Sequence, residues 1–179
     1  MVEICDKQLA KDVVDGSEAA FRRLLDHHGP PISNFVRRMI RQQAEAEDIV
    51  QETFLRFWLN ADRYQPQKSK LSTWLHHIAY HLCIDHHRRS RGLGERHEEE
   101  IDPDTRPDDH YASSQTAFRV AEALSALPET QRCAVVLTHY QNFSNKEVAH
   151  ILDISVDALE SLLRRARSKL KQHLVEIRQ

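Results

Sequence analysis

Apolar residues recur at helical spacing along almost the whole chain, and this periodicity constrains the fold more than any other feature. Phe21, Leu24 and Leu25 make one stripe, with Ser17 placed as an N-cap. Ile32, Phe35, Val36, Met39 and Ile40 make a second, after Pro30-Pro31. The third holds Ile49, Val50, Thr53, Phe54, Phe57 and Trp58, with Glu45, Glu47 and Asp48 at its start, where negative charge suits the helix dipole. A fourth follows Ser72 as N-cap and turns Trp74, Leu75, Ile78, Ala79, Leu82 and Cys83 one way. It ends in Arg88, Arg89, Arg91 and Gly92, cations and a glycine that suit a C-terminus. The whole chain of 179 residues has only four glycines, too few for a fold rich in tight hairpins. The expectation is an all-α fold.

Two stretches break the period. Residues 60–70 contain Pro66 and mostly polar side chains and read as a loop. Residues 94–114 carry Pro103, Pro107 and a run of acids without an apolar period, and read as a flexible acidic linker. Two small helical bundles joined by this linker are therefore expected. Beyond it, Phe118, Ala121 and Leu124 open a helix that stops before Pro128, and Val135, Val136, His139 and Tyr140 mark another.

The last third has helix-turn-helix proportions. Ser144-Asn145-Lys146-Glu147 spells a capping box, serine at N-cap and glutamate at N3, opening a short helix through Leu152. Asp153-Ile154 makes the turn, and aspartate tolerates the left-handed conformation a turn there needs. Ser155 caps a final helix whose inner face holds Leu159, Leu162, Leu163, Ala166 and Leu170. Ala149 is small enough for a close crossing of the two helices. Such a motif lays the start of its second helix in the major groove. Ser155, Val156, Asp157, Glu160, Ser161 and Arg164 would face the bases, with Arg165, Arg167 and Lys169 towards phosphates. Two packed helices in an ordinary bundle, with solvated Arg and Lys, are the plainer reading of the same segment.

Charge is distributed in blocks. The formal net charge is −2. Residues 63–96 hold seven Lys/Arg against two Asp/Glu, residues 97–111 one against seven, and residues 155–179 six against three. Two basic segments thus flank an acidic one, a pattern suited to a nucleic-acid partner at each end. No phosphate-binding glycine loop, nucleophile elbow or paired acid on a known scaffold is present, so no catalytic residue is expected. No run of about 18 apolar residues exists, so no membrane insertion is expected. Met1 to Asp6 carries acids where a signal peptide is basic, which places the expected location in the cytoplasm. There, Cys5, Cys83 and Cys133 should remain reduced.

Four blocks carry a family resemblance. Ala46-Glu47-Asp48-Ile49-Val50-Gln51-Glu52-Thr53-Phe54-Leu55-Arg56-Phe57-Trp58 resembles the core-binding helix of the extracytoplasmic-function (ECF) sigma factors of bacterial RNA polymerase. Leu71-Ser72-Thr73-Trp74-Leu75, then Ile78-Ala79 and Ile84-Asp85-His86-His87-Arg88-Arg89, resemble their promoter-melting helix. Leu127-Pro128-Glu129-Thr130-Gln131-Arg132 is similar to the opening of their C-terminal domain. The helix-turn-helix and its tail Arg165-Ala166-Arg167-Ser168-Lys169-Leu170 complete the order. The resemblance implies sigma domain two over residues 1–93, a linker over 94–114 and sigma domain four over 115–179. It implies core RNA polymerase and promoter DNA as partners, an anti-sigma factor as regulator, and a stress or environmental response. The polar face of Glu47, Asp48, Gln51, Glu52 and Arg56 would dock on the polymerase clamp. Arg63, Tyr64, Lys68, Lys70, His81, Arg88 and Arg89 would meet the minus-ten element, where opened strands need a cationic groove and stacking surfaces. The recognition helix would read the minus-thirty-five element. This chain departs from the family's pattern at Tyr80-His81, where Arg-Asn is frequent, and at Glu160 and Leu162, where a basic residue and arginine are frequent. Glu160 could accept from a cytosine amino group instead.

Twelve histidines are many for this length. His77 and His81 stand four apart on one helix, a spacing compatible with metal, and His76, His86, His87 and Cys83 lie on the same segment. No acidic third ligand sits at a recognised spacing, and neither a metal nor another cofactor is expected. Two other functions stay open at this level: a stand-alone regulator that binds duplex DNA as a dimer, and a metal sensor built on the histidine helix.

Overall fold

The computed structural model describes residues 6–92 and 114–176. Every regular element among these is helical: α1 Asp6–Val14, α2 Glu18–Met39, α3 Gln43–Leu59, α4 Leu71–Gly92, α5 Ser114–Ser125, α6 Glu129–Val135, α7 Asn145–Ile151 and α8 Val156–Glu176. A 3-10 turn, Ala61–Arg63, follows α3, and a π-helical turn, Val136–Tyr140, prolongs α6. The chain divides into two compact units, Met1–Glu95 and Arg96–Gln179. Residues 93–113, which hold nearly all of the acidic linker, lie outside the described residues.

The N-terminal unit packs α1, α2, α3 and α4 against one another. Its core is the set of stripes read from the sequence: Leu24, Ile32, Phe35, Val36 and Met39 of α2, Ile49, Phe54 and Phe57 of α3, and Leu75, Ala79, Leu82 and Cys83 of α4. Helix α1 was not among the helices expected. It adds Leu9, Ala10 and Val13, a short stripe of three apolar positions within nine residues. Gly16, at φ +84°, ends α1 in a Schellman motif: its N–H donates to Val13 O at 2.9 Å and that of Ser17 to Asp12 O at 2.9 Å. Ser17 then caps α2, its Oγ accepting from the Ala20 amide at 3.2 Å.

Two expectations need correction here. Pro30 and Pro31 do not separate two helices; they lie inside the single helix α2. An interior proline costs about 3 kcal/mol through a lost N–H donor and a ring clash. Burial of one continuous stripe from Ala20 to Met39 offsets that cost. Ser72 does not cap α4, which starts one residue earlier at Leu71. The Trp74 amide already donates to Lys70 O at 3.1 Å, so Ser72 sits in the first turn.

Histidines tie these helices together. His87 Nε2 lies 3.1 Å from Met39 O, where a helix end leaves carbonyls without helical partners. His86 Nε2 lies 3.0 Å from Glu45 Oε2, joining α4 to α3. The His76 ring meets Phe35 edge-on at 5.4 Å.

In the C-terminal unit, α6, its π turn, α7 and α5 pack on α8 or on each other around Leu124, Leu127, Cys133, Ala134, Val136, Leu137, Val148, Ile151, Leu159, Leu163 and Ala166.

Candidate nucleic-acid and partner-binding surfaces

Helix α3 is fully partnered on one side and open on the other. Glu47, Asp48, Gln51 and Arg56 are exposed and Glu52 is half-buried, so the polar face expected from the sequence forms one continuous strip. Local pairs order it: Gln43 Nε2 donates to Glu47 Oε1 at 2.9 Å, and Arg56 Nε to Glu52 Oε1 at 2.7 Å. Glu47 and Gln51 also line a shallow groove with Ala46, Val50 and, from α2, Ser33 and Arg37. Leu55 and Leu59 extend the strip; they are 51% and 67% exposed, and no site reading of the sequence included them. The signal was available. Gln51, Leu55 and Leu59 follow one another at i, i+4 and i+8, outside the stripe that the core consumes. The strip thus combines acids, an amide, a cation and two exposed leucines on one side of α3.

The loop between α3 and α4 is built on an aromatic stack. Tyr64 lies on Trp74 with ring centroids 5.3 Å apart, and Phe57 meets Trp74 edge-on at 5.6 Å. The Tyr64 hydroxyl donates to Ser69 O at 3.1 Å, closing the loop on itself. Burial and then the nearby Asp6 carboxylate raise the Tyr64 phenol above its usual pKa, because each opposes a phenolate. Tyr64, expected among the residues that meet the minus-ten element, is buried and supports the loop from within the unit. Around it, Arg63, Lys68 and Lys70 are exposed. Arg88 and Arg89 are exposed further along α4, Arg88 reaching Asp85 Oδ1 at 3.0 Å. His81 is half-buried, its Nε2 3.2 Å from that of His77.

The helix-turn-helix forms as its capping residues dictate. Ser144 Oγ accepts from the Glu147 amide at 3.4 Å, while Glu147 Oε2 accepts from the Ser144 amide at 2.9 Å. Helix α7 ends in a second Schellman motif. Asp153 N–H donates to His150 O at 3.3 Å, and Ile154 N–H to Ala149 O at 3.0 Å. Asp153 holds the left-handed position at φ +53°, usually taken by glycine. Ser155 then caps α8, its Oγ accepting from the Ala158 amide at 3.1 Å. Leu159 and Leu163 are buried, which fixes the rotation of α8. Asp157, Glu160, Arg164, Arg165, Arg167 and Lys169 are exposed along it, Ser155 is exposed at its cap, and Val156 and Ser161 are half-buried.

Two helical units, one with an open mixed face and a cationic loop, the other with a helix-turn-helix, define a DNA-binding protein of transcription. Residues 24–92 match the family model of Sigma-70 region 2, and residues 117–170 that of Sigma-70 region 4. The chain is 30% identical to the ECF RNA polymerase sigma factor SigM of Mycobacterium tuberculosis, over 96% of its own length and 86% of the relative's. It is 28% identical to SigW of Bacillus subtilis, over 98% of its length and 100% of the relative's. Among solved structures it resembles CnrH in complex with the cytosolic domain of CnrY: TM-score 0.73, 27% identity, 96% of this chain and 97% of that one. It also resembles RpoE of Bartonella quintana in complex with the anti-sigma factor NepR: TM-score 0.71, 26% identity, 86% and 96% covered. The chain belongs to the ECF RNA polymerase sigma factors, a family of regulatory proteins rather than enzymes. As a sigma factor it directs RNA polymerase to promoters for transcription initiation. Among the described residues no helix is long and apolar enough to cross a membrane.

Proposed function

We propose a division of labour within this sigma factor. Residues 1–93 act as domain two and residues 115–179 as domain four, joined by the acidic segment 94–114. Glu47, Asp48, Gln51, Glu52 and Arg56 dock on core RNA polymerase, and Leu55 and Leu59 add apolar contact beside them. Arg63, Lys68, Lys70, His81, Arg88 and Arg89 engage the minus-ten element, with Tyr64 shaping the loop that presents the first three. Ser155, Val156, Asp157, Glu160, Ser161, Arg164, Arg165 and Lys169 on and before α8 engage the minus-thirty-five element.

The observation that carries this reading is the open strip on α3, inside the segment that matches Sigma-70 region 2. The protein itself performs no bond-making step; the polymerase supplies the chemistry. It works in the cytoplasm, where polymerase and promoter DNA are found. An anti-sigma factor holds it inactive under non-inducing conditions, a reading supported by the similar structures, in which CnrH is bound to CnrY and RpoE to NepR.

The test is co-purification with core polymerase. Asp48→Arg combined with Glu52→Arg should weaken association about tenfold or more, since charge reversal at a buried contact costs several kcal/mol. Circular dichroism should stay unchanged, because both positions lie on the open side of α3. Undiminished binding by the double variant would overturn the docking assignment. Tight, specific binding of the isolated chain to a palindromic duplex would instead favour a stand-alone regulator.

A further inference from the structure

Besides the histidine pair of α4, the N-terminal unit holds a cluster of imidazoles and carboxylate within itself. Asp6 opens α1, and His27 and His28 lie in the middle of α2. One donor atom from each of the three residues lies within 4.8 Å of the other two. His28 is buried, and its Nε2 lies 3.0 Å from Asp6 Oδ1. The His27 ring stands edge-on to it, with centroids 4.8 Å apart, and is exposed.

Two imidazoles and one carboxylate form a donor set suited to zinc. Tetrahedral zinc with bonds of 2.0–2.1 Å sets its ligand atoms roughly 3.3 Å apart. Asp6 and His28 already meet that spacing. His27 must close by roughly 1.5 Å at most to reach it, a side-chain movement open to an exposed ring. We propose that Asp6, His27 and His28 bind one zinc ion, with water in the fourth position, and that the ion fastens α1 to α2.

Each part of the cluster has a role in this arrangement. Burial holds His28 in one orientation, so half of the site is set before the ion arrives. Zinc takes the Nε2 lone pair of neutral His28, so a proton held on Nε2 in the metal-free cluster is displaced when the ion binds. Exposure of His27 leaves a path for the ion and room for the water. Asp6 and His28 stand 22 residues apart on two helices, so the ion crosslinks α1 to α2 beside the buried face of α1 at Leu9, Ala10 and Val13. Zinc would then stabilise the N-terminal unit by mass action, since the unfolded chain has no preformed site.

The experiment uses the full chain, stripped of metal and titrated with Co2+ as a spectroscopic substitute, followed by competition with Zn2+. The expected result is visible absorption bands of tetrahedral cobalt, saturating at one equivalent and displaced by zinc. Asp6→Asn and His27→Ala should each weaken the bands' titration about tenfold or more. His27 is exposed, so His27→Ala removes a ligand and leaves the core intact. The double variant His77→Ala/His81→Ala, which removes the α4 pair, should titrate as the parent does. Zinc should also raise the melting temperature of the parent chain and leave that of His27→Ala unmoved. Absence of the bands, a titration unchanged by His27→Ala, its loss in the α4 variant, or an equal melting shift in parent and His27→Ala would each overturn the proposal.

Discussion

The Tyr64 ring lies on that of Trp74, 5.3 Å between centroids and 27° from parallel, so the loop joining α3 to α4 rests on a stacked pair. The same tyrosine anchors the far end of the loop through Ser69 O. Arg63, Lys68 and Lys70 project from a segment whose two ends are thereby held together. A cationic loop fixed in this way would lose less conformational freedom in the minus-ten contact proposed for it.

Truncating this support should be costly. Tyr64→Ala removes a buried ring and should lower stability by about 3 kcal/mol, the usual size for an aromatic lost from a core. Tyr64→Phe keeps the stack and loses one hydrogen bond, and should cost about 1 kcal/mol. Urea denaturation of the three proteins measures both. Equal losses would show that the hydroxyl, and not the stack, holds the loop.

The same phenol predicts a pH dependence. Its pKa is raised in the folded state by burial and by Asp6. Folding therefore favours the protonated form, and the stability this contributes is fully present below pH 10, the unfolded value. It is lost as pH rises from there through the folded pKa. The stability difference between the parent chain and Tyr64→Phe should be constant from neutral pH to about 9 and shift against the parent above 10. Denaturation curves at matched pH for the pair isolate this titration from that of the lysines.

The turn of the helix-turn-helix should respond to backbone strain. Asp153 holds φ +53°, a conformation that costs side chains with a Cβ roughly 1–2 kcal/mol unless they are Asn or Asp. Asp153→Val should destabilise the C-terminal unit by at least about 1 kcal/mol relative to Asp153→Gly, which adopts the same φ without steric cost. Ser144→Ala, which removes the Oγ of the capping box, should cost about 1 kcal/mol. Thermal melts of the full chain read all three.

Acids on the recognition helix predict the kind of promoter this sigma factor reads. Glu160 is exposed on α8, one turn before Arg164. A carboxylate is repelled by phosphate and suits a base amino donor, that of cytosine above all. In holoenzyme, Glu160→Ala should relax discrimination at a single base pair by about 1–3 kcal/mol. Arg165→Ala or Lys169→Ala should weaken binding across all sequences and flatten its salt dependence. Selection from a randomised minus-thirty-five library separates the two behaviours. A Glu160→Ala profile identical to that of the parent would remove Glu160 from base readout.

Pro30 offers a test of the continuous α2. It is exposed and lies in the helix interior, where it supplies no N–H to the carbonyl four residues earlier. Pro30→Ala should raise stability by about 1–3 kcal/mol, with the greater freedom of the unfolded chain reducing the gain. Helicity by circular dichroism should stay unchanged, because α2 is already helical on both sides of Pro30; a rise in helicity would show instead that the chain is broken at the proline pair.

Local chemistry decided much of this protein directly from its sequence. The stripes of α3, α4 and α8 supply core at Phe57, Leu75 and Leu159, with Val50, Trp58, Trp74, Ile78, Leu162 and Leu170 half-buried at their margins, because a 3.6-residue period leaves one face to bury. The capping box at Ser144 and the left-handed Asp153 are satisfied within a few residues, so nothing distant could override them. The tertiary structure decided what depends on partners remote in sequence. Local rules break a helix at Pro30-Pro31, but the shared core of the N-terminal unit runs α2 through both prolines. That Tyr64 is buried follows only from Trp74 on the next helix, which provides the surface it stacks on. Leu55 and Leu59 lie off the apolar stripe of α3 in the sequence, and packing of α2 and α4 on the stripe side leaves them in solvent. The meeting of Asp6 with His28 had no local sign at all, since a contact across 22 residues exists only once α1 has docked on α2.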